Sequence, residues 1–309
     1  MDTQGKIIRA GAAAIMCALL VGLIVPIWKA GGFWSVVVFL QTGRIVAPLQ
    51  ETVTTPTTVT EPEIAAPVLS TFDAERILLN NTSGYDVDVS QLLAAPLPWQ
   101  QPTVLILHTH GTESYTKTED YTESSSYRTQ DTGYNVVSVG DRLATILEEN
   151  GLRVIHDRAM HDLPSYDAAY IAARNSIQTA LALDPSVCLV IDLHRDAALD
   201  DAGSPVGETV STHRGEAAPL MFVMGTDAGG YEHPRWRDNL SVAVKLQAQL
   251  ETVCPGICRP IQLRASRYNQ DLSPGALLVE VGFTGNDRQE ALLAAEFLAQ
   301  AIINLSASP

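Results

Sequence analysis

The chain is predicted to form an α/β domain: a mostly parallel open sheet with helices on both faces. Short apolar runs at Val104–Leu107, Val187–Leu193, Leu220–Met224 and Ala276–Val281 alternate with longer segments of helical period, the order that βαβ units produce. The runs are almost continuously apolar, as strands covered on both faces read. No internal repeat competes with this reading, and no glycine-rich phosphate fingerprint follows the first strand, so a nucleotide site is not expected.

From Ala10 to Trp28 there is no charged residue, roughly the 20 residues that span a bilayer. Lys6 and Arg9 precede the run, as expected for a cytoplasmic amino end. Residues 1–30 therefore read as a cytoplasmic tip and an uncleaved single-pass transmembrane helix, with a cleaved signal peptide as the competing reading. Phe33 to Leu40 is apolar but too short to span. Pro48 to Pro67 is rich in Thr, Pro, Glu and Val and lacks the apolar content to offset ordering entropy, so residues 31–70 read as a membrane-proximal segment and tether. Residues 71–309 are then the catalytic domain, held outside the cytoplasm at the cell membrane.

Within that domain, Val104–Leu107 opens the sheet and Gly111–Gly133 is a long polar loop of the kind that carries function. Asn135–Asn150 is helical, with Val136, Val139, Leu143, Ile146 and Leu147 on one face and Gly151 as the stop. Arg153–His156 is a strand, Ser165–Leu183 a helix and Ala198–Ala218 a loop. Glu232–Val253 and Asp287–Asn304 are the last helices, the second opened by an Asp287-x-x-Glu290 capping-box pattern. Residues 71–100 have a mixed pattern and could add an edge element.

The formal net charge is −15, which argues against nucleic acid because phosphate binding needs clustered Lys and Arg. Cys17 falls in the apolar amino-terminal run and Cys188 in a strand. Cys254 and Cys258 are close enough in sequence to pair in an oxidising compartment, and nothing in the spacing decides it.

Histidines and carboxylates gather at the carboxyl ends of three strands: His108-Thr109-His110-Gly111-Thr112-Glu113, Asp192-Leu193-His194-Arg195-Asp196, and Glu280 before Gly282. In an open α/β sheet ligands bind along that edge. His110, Glu113 and His194 make up a usual catalytic zinc set of imidazoles and a carboxylate. His108 would share a side with His110 if the strand continued, and a turn at Thr109 would separate them; His110 is the favoured ligand. Glu280, in an otherwise apolar strand, is costly to bury unless used and suits a general base. Arg195 is a candidate for binding a substrate carboxylate or bracing Glu280, and Asp196 for orienting a ligand. Asp192 could be a core carboxylate satisfied by backbone. Tyr115, Tyr121 and Tyr127 could stack on a substrate or simply pack the loop.

The segments Val104–Tyr115, Val139–Leu143, Ile191–Asp196, Tyr268–Pro274 and Leu277–Gly282 together resemble the stage II sporulation protein P family, from about residue 70 to the end. That family is similar in turn to zinc N-acetylmuramoyl-L-alanine amidases. The resemblance implies an amidase-like fold and Zn2+-dependent cleavage of the amide joining the glycan to the stem peptide of peptidoglycan, with endopeptidase cleavage as a second activity. It further implies a role in engulfment beside stage II sporulation proteins D and M. His110 and His194 match the amidases' zinc histidines, Glu280 their catalytic glutamate, and Asn269 lies in a matching segment as a supporting or substrate-contacting residue. In the wider amidases a Glu opens the first long helix. This chain has Asn135 there, which leaves Glu113 as the third ligand. The alternatives are a membrane-anchored zinc peptidase of other peptides and a non-catalytic wall-binding scaffold.

Overall fold

The computed structural model describes residues 74–116, 118, 121, 122, 124 and 126–307. The expected anchor and tether lie outside these residues. Among the described residues no helix is long and apolar enough to cross a membrane.

Seven strands form one sheet: β1 (Leu79–Asn81), β2 (Thr103–Leu107), β3 (Arg153–His156), β4 (Val187–Asp196), β7 (Leu220–Gly225), β8 (Ile261–Arg264) and β9 (Gly275–Phe283). Their spatial order is β1-β8-β7-β9-β4-β2-β3, and β5 (Val210–Thr212) and β6 (Gly215–Ala217) make a separate hairpin. All neighbours in the large sheet are parallel except β7 and β9. Helices are α1 (Val89–Ala94), α2 (Val136–Glu149), α3 (Ala169–Leu183), α4 (Trp236–Val253) and α5 (Arg288–Ser306).

The strand order explains where a site must form. The chain leaves β2 through α2 to β3 on one side, then returns through α3 to β4 on the other side of β2. Right-handed crossovers made in opposite directions put α2 and α3 on opposite faces of the sheet. The carboxyl ends of β2 and β4 therefore splay around a topological switch point, the position where such sheets bind ligands.

The two faces differ in cover, which the sequence did not anticipate. Side chains of one parity along the strands (Val104, Ile106, Leu189, Ile191, Leu193, Phe222, Leu263, Leu277, Val279) pack with α1, α2, α4 and α5 in one large core. Those of the other parity (Leu105, Leu107, Val190, Ala276) meet only Ala173 and Ile177 of α3 and their close neighbours. The helical cover on that face ends near β9, and the face of β7 and β8 beyond it is open to a cleft.

Local signals in the chain are realised in detail. At the start of α5 the Asp287 carboxylate accepts from Glu290 N at 2.9 Å and the Glu290 carboxylate accepts from Asp287 N at 3.0 Å, a reciprocal cap that satisfies two otherwise unpartnered donors. Residues 71–100 do add an edge element, strand β1, with helix α1 after it; β8 was not foreseen, and the 198–218 loop contains the β5–β6 hairpin. Cys254 and Cys258 are buried free thiols.

Candidate metal centre

Strand β2 delivers two histidines to opposite sides of the sheet. His108 keeps the parity of Val104 and Ile106 and points under α2, where its Nδ1 meets Leu193 O at 3.0 Å and its Nε2 meets His156 Nε2 at 2.9 Å. Its ring sits against Gly140 of α2, where an added Cβ would come within 2.7 Å of both imidazole Nε2 atoms. His108 is therefore a buried structural residue, its pKa lowered to about 3 by burial and by His156.

The chain then turns. Thr109 N and Oγ1 donate to the two oxygens of Asp192, at 2.8 and 2.6 Å, and this clamp swings His110 to the opposite face. Gly111 lets the turn lie against the 159–160 backbone: a Cβ there would be 3.0 Å from Met160 Cα. Glu113 N donates to His110 O at 3.0 Å, closing the turn and folding the carboxylate back toward the imidazole.

His110 Nδ1 lies 3.5 Å from Glu113 Oε1, and His194 Nδ1 lies 3.4 Å from Glu113 Oε2. A tetrahedron with arms of about 2.1 Å, the Zn–N and Zn–O distance, has edges of about 3.4 Å. One donor atom from each of the three residues lies within 4.8 Å of the others, so these residues fit a shared divalent ion. His194 Nε2 lies 2.9 Å from Asp192 Oδ1. This is an ion-pair contact without hydrogen-bond alignment; a carboxylate beside the outer nitrogen favours a proton there and leaves the inner nitrogen, next to Glu113, as the candidate ligand atom.

The electrostatics match that arrangement. Burial alone would raise the Glu113 carboxyl, but hydrogen bonds from His110 and His194 and the nearby Arg195 charge hold it well below the usual carboxylate range. Burial alone would lower His194, but Asp192 and Glu113 raise it well above its ordinary value. In the ion-free protein a proton on His194 thus takes the place of a cation between two carboxylates. Cation binding must displace that proton, so affinity should weaken as pH falls. Metal titrations at pH 6 and pH 8 check this, with looser binding expected at pH 6.

Glu280 is in register with His194 on the adjoining strand. Its Oε2 is buried without a hydrogen-bond partner among the described residues, and burial raises its pKa to about 8. Gly282, at φ +68°, turns the chain just after it. A Cβ there would be 2.7 Å from Asn286 Oδ1, whose atom instead accepts from Phe283 N at 2.8 Å.

The remaining expected site residues separate. Arg195 is buried, and its guanidinium donates to Ser114 O at 2.9 Å and Tyr127 O at 3.0 Å while its backbone N approaches Glu113 Oε2 at 3.3 Å. Its hydrogen bonds hold the 113–128 loop, while its charge also favours the ionised form of the buried Glu280. Asp196 pairs with Arg259 at 2.8 Å and orients no member of the donor set. Asn269 Nδ2 donates to Tyr170 O at 2.8 Å, so it supports the wall. Asn135 caps α2 by accepting from Val137 N at 3.0 Å and is not among the three donors.

Among the tyrosines of the polar loop, Tyr115 is fully buried with its hydroxyl on Val281 O at 3.0 Å, and Tyr121 stacks on Tyr134 at 4.6 Å. Both pack the loop. The aromatic wall of the cleft is instead Tyr166, Tyr170 and Tyr268. Tyr166 stacks on His110 at 4.4 Å, with the Arg128 guanidinium 4.5 Å from the Tyr166 centroid. Arg128 also pairs with Asp162 at 2.9 Å and approaches Glu113 at 3.6 Å. Nothing in the local pattern of Tyr166 or Arg128 marked them. Asp192, between two apolar residues, carried a readable signal and proves to bind Thr109 and His194 together.

Gly140→Ala tests the packing that holds His108. A helical Gly-to-Ala change gains about 1 kcal/mol in propensity. Overpacking against rigid rings costs about 1–3 kcal/mol, so a net loss of stability in urea unfolding is expected.

The family profile of stage II sporulation protein P matches residues 63–303 of this chain. Stage II sporulation protein P of Bacillus subtilis (strain 168) is 29% identical over 210 residues, covering 63% of this chain and 49% of that protein. The chain thus spans about half the length of the curated relative it matches. Among solved structures, apo N-acetylmuramyl-L-alanine amidase Ami1 from Mycobacterium abscessus matches with a TM-score of 0.36 and 14% identity, covering 66% of this chain and 96% of that one; a likeness so remote carries no argument about activity.

Proposed function

The chain belongs to the stage II sporulation protein P family, and on that footing we propose that it is a zinc-dependent peptidoglycan hydrolase, an N-acetylmuramoyl-L-alanine amidase acting in engulfment. The observation that carries this reading is the convergence of His110, Glu113 and His194 within 4.8 Å of one another, with Glu280 in register beside His194. Two imidazoles and a carboxylate favour zinc over harder divalent ions.

A zinc ion held there would polarise the scissile carbonyl and bring the pKa of water down to about 7. The protein's own groups do the rest. Glu280 takes the proton of the attacking water and passes it to the leaving amide nitrogen. Its pKa of about 8 in the ion-free protein puts it in the range where a carboxyl both accepts and returns a proton near neutrality. Asp192 holds His194, the Thr109 turn holds His110, and Tyr166, Tyr170 and Tyr268 wall off the cleft. Cleavage of peptide cross-links would be a second activity at the same centre.

A single-pass anchor over residues 1–30 and a tether over 31–70 would hold the domain at the outer face of the cell membrane. Tethering raises local concentration at the wall without any new contact. Stage II sporulation proteins D and M would be its working partners.

Zymography on purified sacculi, with and without a chelator, tests the reading. A chelator-sensitive clearing zone, restored by zinc and releasing peptides with a new amino-terminal alanine, is the expected result. Clearing that persists after exhaustive chelation, or none with stoichiometric zinc, would overturn it.

A further inference from the structure

Glu280 does not close the cleft. The depression at the donor set, about 260 Å³, adjoins a second of about 320 Å³, and Asp196, Val223, Tyr268 and Glu280 border both. The second depression lies on the sheet face that lacks helical cover. Register carries that face outward strand by strand: His194 beside Glu280, Glu280 beside Met221, and Val223 beside Gln262. On β8 the alternation is clean. Ile261 and Leu263 are fully buried in the helix-covered core, so Gln262 and Arg264 stand on the cleft side.

The charges there are uneven. The chain carries 35 Asp and Glu against 20 Lys and Arg, and most cleft arginines are neutralised. Arg195 is committed to backbone carbonyls and Glu113, and Arg259 to Asp196, with Phe283 beneath its guanidinium at 4.1 Å. Arg264 differs. Its partners are neutral, Gln262 Oε1 at 2.8 Å and Thr82 Oγ1 at 3.4 Å, and among the described residues no carboxylate lies within ion-pair distance of it. Gln262 is itself held by Asn80 Nδ2 at 2.9 Å, so the guanidinium is steered by a fixed amide.

We infer that this second depression is an anion subsite in which Arg264 binds a free carboxylate on the peptide arm of the substrate. A guanidinium fork matches a carboxylate in two parallel hydrogen bonds, and half-burial in a cleft screens it less than open surface. That the ligand is a stem peptide rests on the amidase reading; that it is anionic rests on Arg264 alone. The subsite sets specificity, since Arg264 lies beyond the reacting groups.

The test is calorimetric titration of the protein with a free stem peptide and with the same peptide amidated at its carboxylates. Binding needs no turnover, so the result stands apart from the amidase reading. The free acid should bind about ten- to a hundred-fold more tightly, the range of one hydrogen bond to a charged group, and the advantage should shrink as salt rises. Arg264→Ala should erase the preference, and Arg264→Lys should restore part of it. In parallel, cleavage of the two corresponding muropeptides should show the Ala variant raising KM for the free acid with kcat unchanged. If the free acid has no advantage in the wild-type protein, or keeps it in Arg264→Ala, the subsite is refuted. If the binding preference holds while neither muropeptide is cleaved, the subsite stands and the amidase reading falls.

Discussion

Glu280→Gln is expected to lower turnover by roughly a hundred- to ten-thousand-fold, the range for loss of a positioned general acid–base group, while zinc loading stays stoichiometric. The amide keeps the shape of the carboxyl and removes its capacity to take a proton. Glu280 is not one of the three clustered donors, so elemental analysis should be unchanged, and a variant that lost its metal would assign Glu280 to the wrong role. The same substitution has a second readout. Burial raises the Glu280 pKa from 4.5 to about 8 in the ion-free protein. Between those values the folded state holds a proton that the unfolded state has released. The folded state binds more protons, so stability falls as pH climbs through that window. Glu280→Gln should therefore leave stability unchanged at pH 4 and raise it relative to wild type at pH 8 and above. Thermal unfolding of the chelated protein at the two pH values checks the sign.

The second large effect concerns His194. His194→Ala should abolish zinc binding and activity and cost about 3–5 kcal/mol of stability, the range for stripping one partner from a buried charged pair. His194 stands between Asp192 at 2.9 Å and Glu113 at 3.4 Å, and both carboxylates are buried. Without the imidazole two buried charges face each other. Asp192 keeps only its hydrogen bonds from Thr109, and Glu113 its contacts with His110 and two arginines. His110→Ala should also abolish zinc binding but cost less stability, because His110 meets Glu113 alone among the carboxylates. Urea unfolding of the two ion-free variants separates them. Equal losses would mean that the Asp192–His194 contact contributes little to folding.

Much of this site was legible because the polar residues interrupt apolar runs. His194 and Glu280 break strands that are otherwise buried, and a polar group in such a place is expensive unless it is used or paired. The strands β2, β4, β7 and β9 were legible for the same reason. Strand β8 was not: polar Gln262 and Arg264 alternate with its two apolar residues, so it lacks the continuous apolar run of the central strands, and β1 was legible only as an edge element somewhere in residues 71–100. The choice between His108 and His110 turned on a single clamp, Thr109 on Asp192, whose halves are distant in sequence. Arg195 and Asp196 sit beside a ligand in the chain, yet Arg195 commits its guanidinium to the 114 and 127 carbonyls next to Glu113, and Asp196 is taken up by Arg259. Tyr166 lies in a bend just before α3, within the segment expected to be helical, and Arg128 sits in the polar loop on a lone bridge to Glu113, so neither carried a local mark.

Composition and spacing alone established an α/β sheet, the helices between its main strands, the cap on the last helix and the residues able to hold a cation, because each follows from burial pattern and chemistry within a few neighbours. Which imidazole faces the donor set, which face of the sheet lies open and which arginine keeps an unneutralised charge depend on contacts between strands far apart in the chain. Those contacts exist only once crossovers have set the strand order, and no local pattern carries that information.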